Sequence, residues 1–252
     1  MHIPRRTQIS SRISSIMVGT MLMFVAAGCG GGDSGVAGPA GPTQPVTLFQ
    51  DTFDGPSVSG TWMQTLFDCF ADIDGATGNP VPSLSLRMDP TATASGIGAV
   101  TTFQPFNSAS GLTFTVLLSV VNPGRTGGNI DGVRLALIDQ GRLGAARGSL
   151  GIHRNSLGGV AISYRIDTAN APNQLVTENI SMPAGFHEFK FIIAPDGSTK
   201  WTRDGIQKLA TLQGISMITA DIQLKLQVNG VGSSVDPDQT AAFFDNVTIT
   251  RP

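Results

Sequence analysis

Between Ile222 and Val228 the chain alternates strictly: Ile222, Leu224, Leu226 and Val228 are aliphatic, while Gln223, Lys225 and Gln227 are polar. A period of two puts successive side chains on opposite faces of a pleated strand, so this segment is predicted to bury one face and wet the other. Similar β-rich patterns return at 112–121, 133–138 and 160–166. Good helix formers are scarce, with two glutamates and four lysines in 252 residues, and no ten-residue window beyond residue 28 carries a helical stripe. Residues 199–203 and 206–210 flank Asp204-Gly205. A two-residue turn wants positive φ at both positions, so Asp-Gly between β-like runs predicts a hairpin. Roughly twelve to fifteen such runs, separated by turn residues, predict an all-β fold of two packed antiparallel sheets, a β-sandwich. Phe114, Val116, Phe189, Phe191, Leu224 and Leu226 are expected in its core.

The first residues have a different character. Arg5, Arg6 and Arg12 precede an uncharged stretch, Ile13 to Gly28, that ends in small residues before Cys29. Basic, apolar and small-residue regions in that order form a secretory signal. At sixteen residues the stretch is short for a membrane span, which needs ~20. Ala26-Ala27-Gly28-Cys29 resembles the bacterial lipobox, with Ala26 where the commonest form has leucine. The resemblance implies a lipidated Cys29 and a membrane partner reached through acyl chains. Glycines follow the cysteine, with no aspartate of the kind that retains such proteins at the inner membrane, which favours an outer-membrane address. Residues 29–45 are rich in glycine and proline, cannot bury a core, and read as a solvated tether. The organisation expected is a signal at 1–28, a lipidated cysteine and tether at 29–45, and one β-sandwich domain at 46–252.

Loss of the signal removes three of the sixteen basic residues and none of the eighteen acidic ones. A mildly acidic chain without a basic run argues against nucleic acid as a partner. Of the two cysteines, Cys69 is then left without an intramolecular partner. Set between Phe67 and Phe70, it reads as a buried thiol, with an intermolecular disulfide as the alternative.

The stretch from Gly185 to Gly205, GFHEFKFIIAPDGSTKWTRDG, resembles a signature of concanavalin A-like jelly rolls, found in family 16 glycoside hydrolases and laminin G-like domains. Phe49 to Gly55 with Trp62 resembles the opening strand, and Phe243 to Thr250 the closing one. The resemblance runs in order through 46–252 and implies the jelly-roll form of the sandwich. It also implies a place for structural calcium between the first and last strands, held by an aspartate and backbone carbonyls, with Asp245 at the matching position and Asp51 or Asp54 near the other side; calcium accepts such hard oxygens. Turn and cap aspartates are the alternative.

Catalysis of the family 16 kind needs two carboxylates about 5 Å apart, carried on one face of one strand. Glu178 and Glu188 fall on different predicted strands, and Asp131 and Asp139 stand too far apart for one site. Asp72-Ile-Asp74-Gly75 lacks carboxylates where a calcium loop needs them. His187 lies inside the strand signature and reads as structural. No nucleophile elbow, phosphate loop or zinc cluster is present. Sugar binding needs flat apolar surface with polar groups beside it. The candidates are Trp201 and Arg203, two apart and so on one face, and Trp62; the competing role for both tryptophans is core packing. The expectation is a non-catalytic, envelope-anchored lipoprotein whose jelly roll binds a polysaccharide or another envelope component. The alternatives are a divergent glycan-active hydrolase and a purely structural envelope protein.

Overall fold

The computed structural model describes residues 44–78, 80–91, 96–124, 132–142, 145–155, 159–168, 174–180, 184–211, 220–230 and 240–252. The predicted signal, Cys29 and nearly all of the tether lie outside the described residues, as does Asp131. In chain order the strands are β1 (Val46–Asp51), β2 (Trp62–Phe67), β3 (Cys69–Asp74), β4 (Ser83–Met88), β5 (Gly96–Thr102), β6 (Phe106–Asn107), β7 (Leu112–Asn122) and β8 (Val133–Asp139). They continue as β9 (Ala145–Arg154), β10 (Val160–Ile166), β11 (Gln174–Ile180), β12 (His187–Ile193), β13 (Thr199–Arg203), β14 (Ile206–Ala210), β15 (Asp221–Gly230) and β16 (Ala241–Arg251). Among the described residues the single helical element is a 3₁₀ turn at Gln140–Arg142. The sixteenth strand beyond the expected range comes from pieces as short as β6, two residues long.

Two antiparallel sheets result. The first runs β14-β13-β12-β7-β16-β4-β3, with β1 also paired to β16. The second runs β11-β10-β9-β8-β15-β5-β2, with β6 paired to β15. Each has a C-terminal strand at its middle: β16 joins β7 to β4, and β15 joins β8 to β5. The first and last strands are neighbours, with Val46 opposite Arg251 and Asp51 opposite Val247.

The six residues expected in the core are all 2% exposed or less. Phe191 shows how tightly the sheets meet: a Cβ built on Gly148 of the second sheet would lie 2.7 Å from its ring. The Asp204-Gly205 hairpin forms with φ of 51° and 76°, and its strands keep the predicted limits.

One expectation needs correcting. The polar face of β15 is not wet. Gln223 is 4% exposed, Gln227 5% and Asn229 8%. A strand at the middle of a sheet has neighbours on both sides, and here the amides bond within the face. Gln223 Nε2 donates to the carbonyls of Thr102 and Phe103 at 2.7 and 3.0 Å, Gln140 donates to Gln223, and Gln227 donates to Asn229. Hydrogen bonding offsets the cost of burying them.

Candidate functional site

Side chains paired directly across an antiparallel sheet share a face. Starting from β15, the face of the second sheet turned away from the core can therefore be read strand by strand. Gln227 stands opposite Arg134 of β8, and Lys225 opposite Ala136. One strand further, Arg134 meets Gly151 of β9, and Ala136 meets Ser149. On the other side Lys225 meets Thr101 of β5, and Gln227 meets Ala99. Edge strand β2 completes this side of the face, with Met63 opposite Thr101, Thr65 opposite Ala99 and Phe67 opposite Ile97.

Ala99, Ala136, Ser149 and Gly151 are small and buried. Above that floor rise two long cations, Arg134 and Lys225, both half-buried. They sit on adjacent strands in a diagonal relation, which sets Cβ atoms roughly 7–8 Å apart. Burial, and then the neighbouring Arg134 charge, push the Lys225 ammonium below its ordinary pKa. The Arg134 Nε is buried without a hydrogen-bond partner. Met63 and Phe67 lie at the margin, 40% and 58% exposed, giving apolar surface beside the polar floor. Among the described residues within the strand registers, the carboxylate on this face is Asp221 at the start of β15, opposite Asn107 of β6 and accepting its side-chain amide at 2.9 Å, four residues along the strand from Lys225.

The carboxylates considered for catalysis are engaged elsewhere. Glu178 and Glu188 fall in different sheets. Glu178 accepts from Lys208 Nζ at 2.9 Å and pairs with Arg203 at 3.3 Å, while Glu188 pairs with Lys190 at 2.8 Å. Asp139 holds Arg147 in a buried ion pair, 2.7 Å from both Nε and Nη2. Asp72 meets Arg87 at 3.0 Å, and Asp74 accepts the Ala76 and Thr77 amides of its turn. His187 Nδ1 lies 2.8 Å from Asp204, in a contact that ties β12 to the hairpin turn.

Trp201 and Arg203 do share a face, and it is the inner one. Trp201 is 2% exposed, packs edge-on against Phe191 at 4.8 Å, and donates its indole N–H to the Arg165 carbonyl at 3.1 Å. Arg203 faces Glu178 where the two sheets close. Trp62 is 5% exposed, stacked on Phe53, with its indole N–H donated to Asp51 at 2.8 Å. Neither tryptophan presents an open ring face, because an inward strand position in a sandwich delivers a large ring to the core. Cys69 is a buried thiol, 3.2 Å from the Met88 sulfur.

The three aspartates expected to hold calcium are not brought together as ligands. Asp51 receives the Phe53 amide on one oxygen and the Ser59 hydroxyl and Trp62 indole on the other. Asp54 accepts from Thr52 at 2.5 Å. Asp245 is fully buried and accepts the Asn246 amide at 2.6 Å. Among the described residues no three His, Cys, Asp or Glu side chains group so as to hold a metal ion.

Neither acids nor apolar periodicity marks the residues that define the outer face, which is why sequence reasoning missed them. The signal was present in the polar positions, Arg134 on one strand and Lys225 on the other.

No protein-family model matches the chain, and no curated protein sequence matches it. Solved structures do. The carbohydrate recognition domain of Emp47p is 9% identical with a TM-score of 0.56, over 82% of this chain and 96% of that one. The globular domain of T. cruzi calreticulin is 14% identical with a TM-score of 0.53, over 82% and 89%. A family 16 glycoside hydrolase from a Bacteroides ovatus mixed-linkage glucan locus, solved with a G4G4G3G product, is 10% identical with a TM-score of 0.54, over 80% and 99%. The chain therefore has the concanavalin A-like jelly-roll fold.

Proposed function

We propose that the protein is a non-catalytic glycan-binding module carried on an envelope lipoprotein, with the ligand lying across the outer face of the second sheet. The observation that carries this reading is the make-up of that face. It offers a floor of small residues, hydrogen-bonding side chains, and exposed Met63 and Phe67 at one margin, the combination that a pyranose ring needs for orientation and stacking. Arg134, Ala136 and Ile138 on β8 supply no acid and no base for a two-carboxylate hydrolysis. The fold is shared with a carbohydrate recognition domain and with a glucan-bound hydrolase, which supports glycan as the ligand class. The signal and Cys29 support placement at the outer membrane through lipid, with the tether setting the domain off the bilayer.

The test is a glycan array probed with the purified full-length protein, followed by analysis of every bound glycan for cleavage products. Binding without cleavage is the expected result. Reducing ends that accumulate with time would replace this reading with the hydrolase, and a silent array would replace it with the structural protein.

A further inference from the structure

Arg134 and Lys225 pose an electrostatic problem that no ion pair among the described residues solves. Both leave water in part, both are cationic, and they stand as diagonal neighbours on adjacent strands. Like charges so placed repel, and partial desolvation weakens the water screening that would relieve them. Several other half-buried or buried cations meet an acid: Arg147 has Asp139, and Arg203 and Lys208 share Glu178. No described residue forms an ion pair with Arg134 or Lys225. The chain as a whole has net charge −2, so the positive character of this face is local.

We propose that the ligand of this face is an anionic polysaccharide, with a carboxylate or sulfate of the chain held between Arg134 and Lys225. This rests on the glycan-binding reading above and names the class of glycan. The guanidinium fork of Arg134 suits a planar or tetrahedral oxyanion. Lys225 adds a second charge on the adjacent strand, where the bound anion relieves the repulsion between the two. Ala136, Ala99 and Gly151 on the floor leave room for the anionic group to approach both. Sugar rings extending toward β2 would then reach Met63 and Phe67.

The experiment is affinity electrophoresis and calorimetry of the full-length protein with polygalacturonate, its fully methyl-esterified form, dextran sulfate, unmodified dextran, and duplex DNA as a polyanion control. Retention by polygalacturonate or dextran sulfate is expected, and which of them binds tells carboxylate from sulfate. The ester and plain dextran should bind far less, and added salt should weaken binding. Arg134→Gln and Lys225→Gln should each lose about ten- to hundredfold in affinity, with a melting temperature no lower than that of the native protein, since each removes one of two repelling charges. Should either variant fail to fold, the ester comparison and the salt series on the native protein still decide. Equal, salt-insensitive binding of ester and dextran would overturn the anionic class while leaving glycan binding in place. Retention by DNA as strong as by any glycan would overturn it as well. No retention by any polymer would remove both readings.

Discussion

The pair Asp139–Arg147 offers a sharp test of how this sandwich tolerates charge in its interior. Both residues are 3% exposed, and Asp139 accepts from Arg147 Nε and Nη2 at 2.7 Å and from the Gly141 amide at 2.8 Å. In Asp139→Ala the guanidinium keeps its charge and loses the only carboxylate bonded to it among the described residues, while the Gly141 amide, on an exposed residue, can turn to water. Breaking a buried pair from one side costs about 3–5 kcal/mol. For a domain of this size each kcal/mol is worth ~2–4 °C, so the melting temperature should fall by roughly 6–20 °C. Replacing both partners, as Asp139→Leu with Arg147→Met, removes the stranded charge and should return stability to within about 1 kcal/mol of the native protein. Urea titration followed by tryptophan fluorescence reports this well, since Trp62 and Trp201 are both buried and lie in different parts of the core. A loss below about 1 kcal/mol in Asp139→Ala, or a double variant no better than the single, would refute the reasoning.

Burial, followed by the nearby Asp68 and Asp89 carboxylates, pushes the Cys69 thiol from an ordinary value of 9.0 up to about 11. The folded state thus keeps a proton that the unfolded chain releases; the associated stability is complete below pH 9 and lost as pH rises to about 11. Melting curves across that window should show the loss in the native protein and not in Cys69→Ala. Gly148→Ala should cost about 1–3 kcal/mol by overpacking against Phe191, and a neutral effect in urea titration would contradict the contact. Calcium at Asp245 with Asp51 or Asp54 is open to direct test: a structural ion requires a chelator-induced fall in melting temperature that calcium reverses and that Asp245→Asn lacks, whereas turn and cap aspartates require an unmoved curve. Cys29→Ser should abolish metabolic palmitate labelling, and label retained by that variant would end the lipoprotein reading.

The fold was readable because its signals are local. Alternation placed β10, and the Asp204-Gly205 turn placed β13 and β14, at the limits the structure shows. Each depends on residues within one hairpin or one strand. The site was not readable, because it depends on register between distant strands. Arg134 and Lys225 are ninety-one positions apart and become neighbours only when β15 pairs with β8. The tryptophans failed as ligand candidates for a related reason. Period two tells that Trp201 and Arg203 share a face, and only the packing of the second sheet tells which face it is. The buried amides of β15 follow the same logic, since polarity in the sequence records hydrogen bonding as readily as contact with water.

The position of β15 and β16 also bears on the order in which the molecule can form. Both follow the other fourteen strands in chain order, yet each bridges two halves of its sheet: without β15 the strands β11 to β8 have no link to β5 and β2, and without β16 the strands β14 to β7 have none to β4 and β3. A nascent chain that has not yet reached Asp221 can assemble hairpins and ladders but neither complete sheet. Closing the sandwich must then wait for the long-range pairing of these two strands, a slow and cooperative step. Until that moment β8 and β5 in one sheet, and β7 and β4 in the other, carry open edges that β15 and β16 later cover.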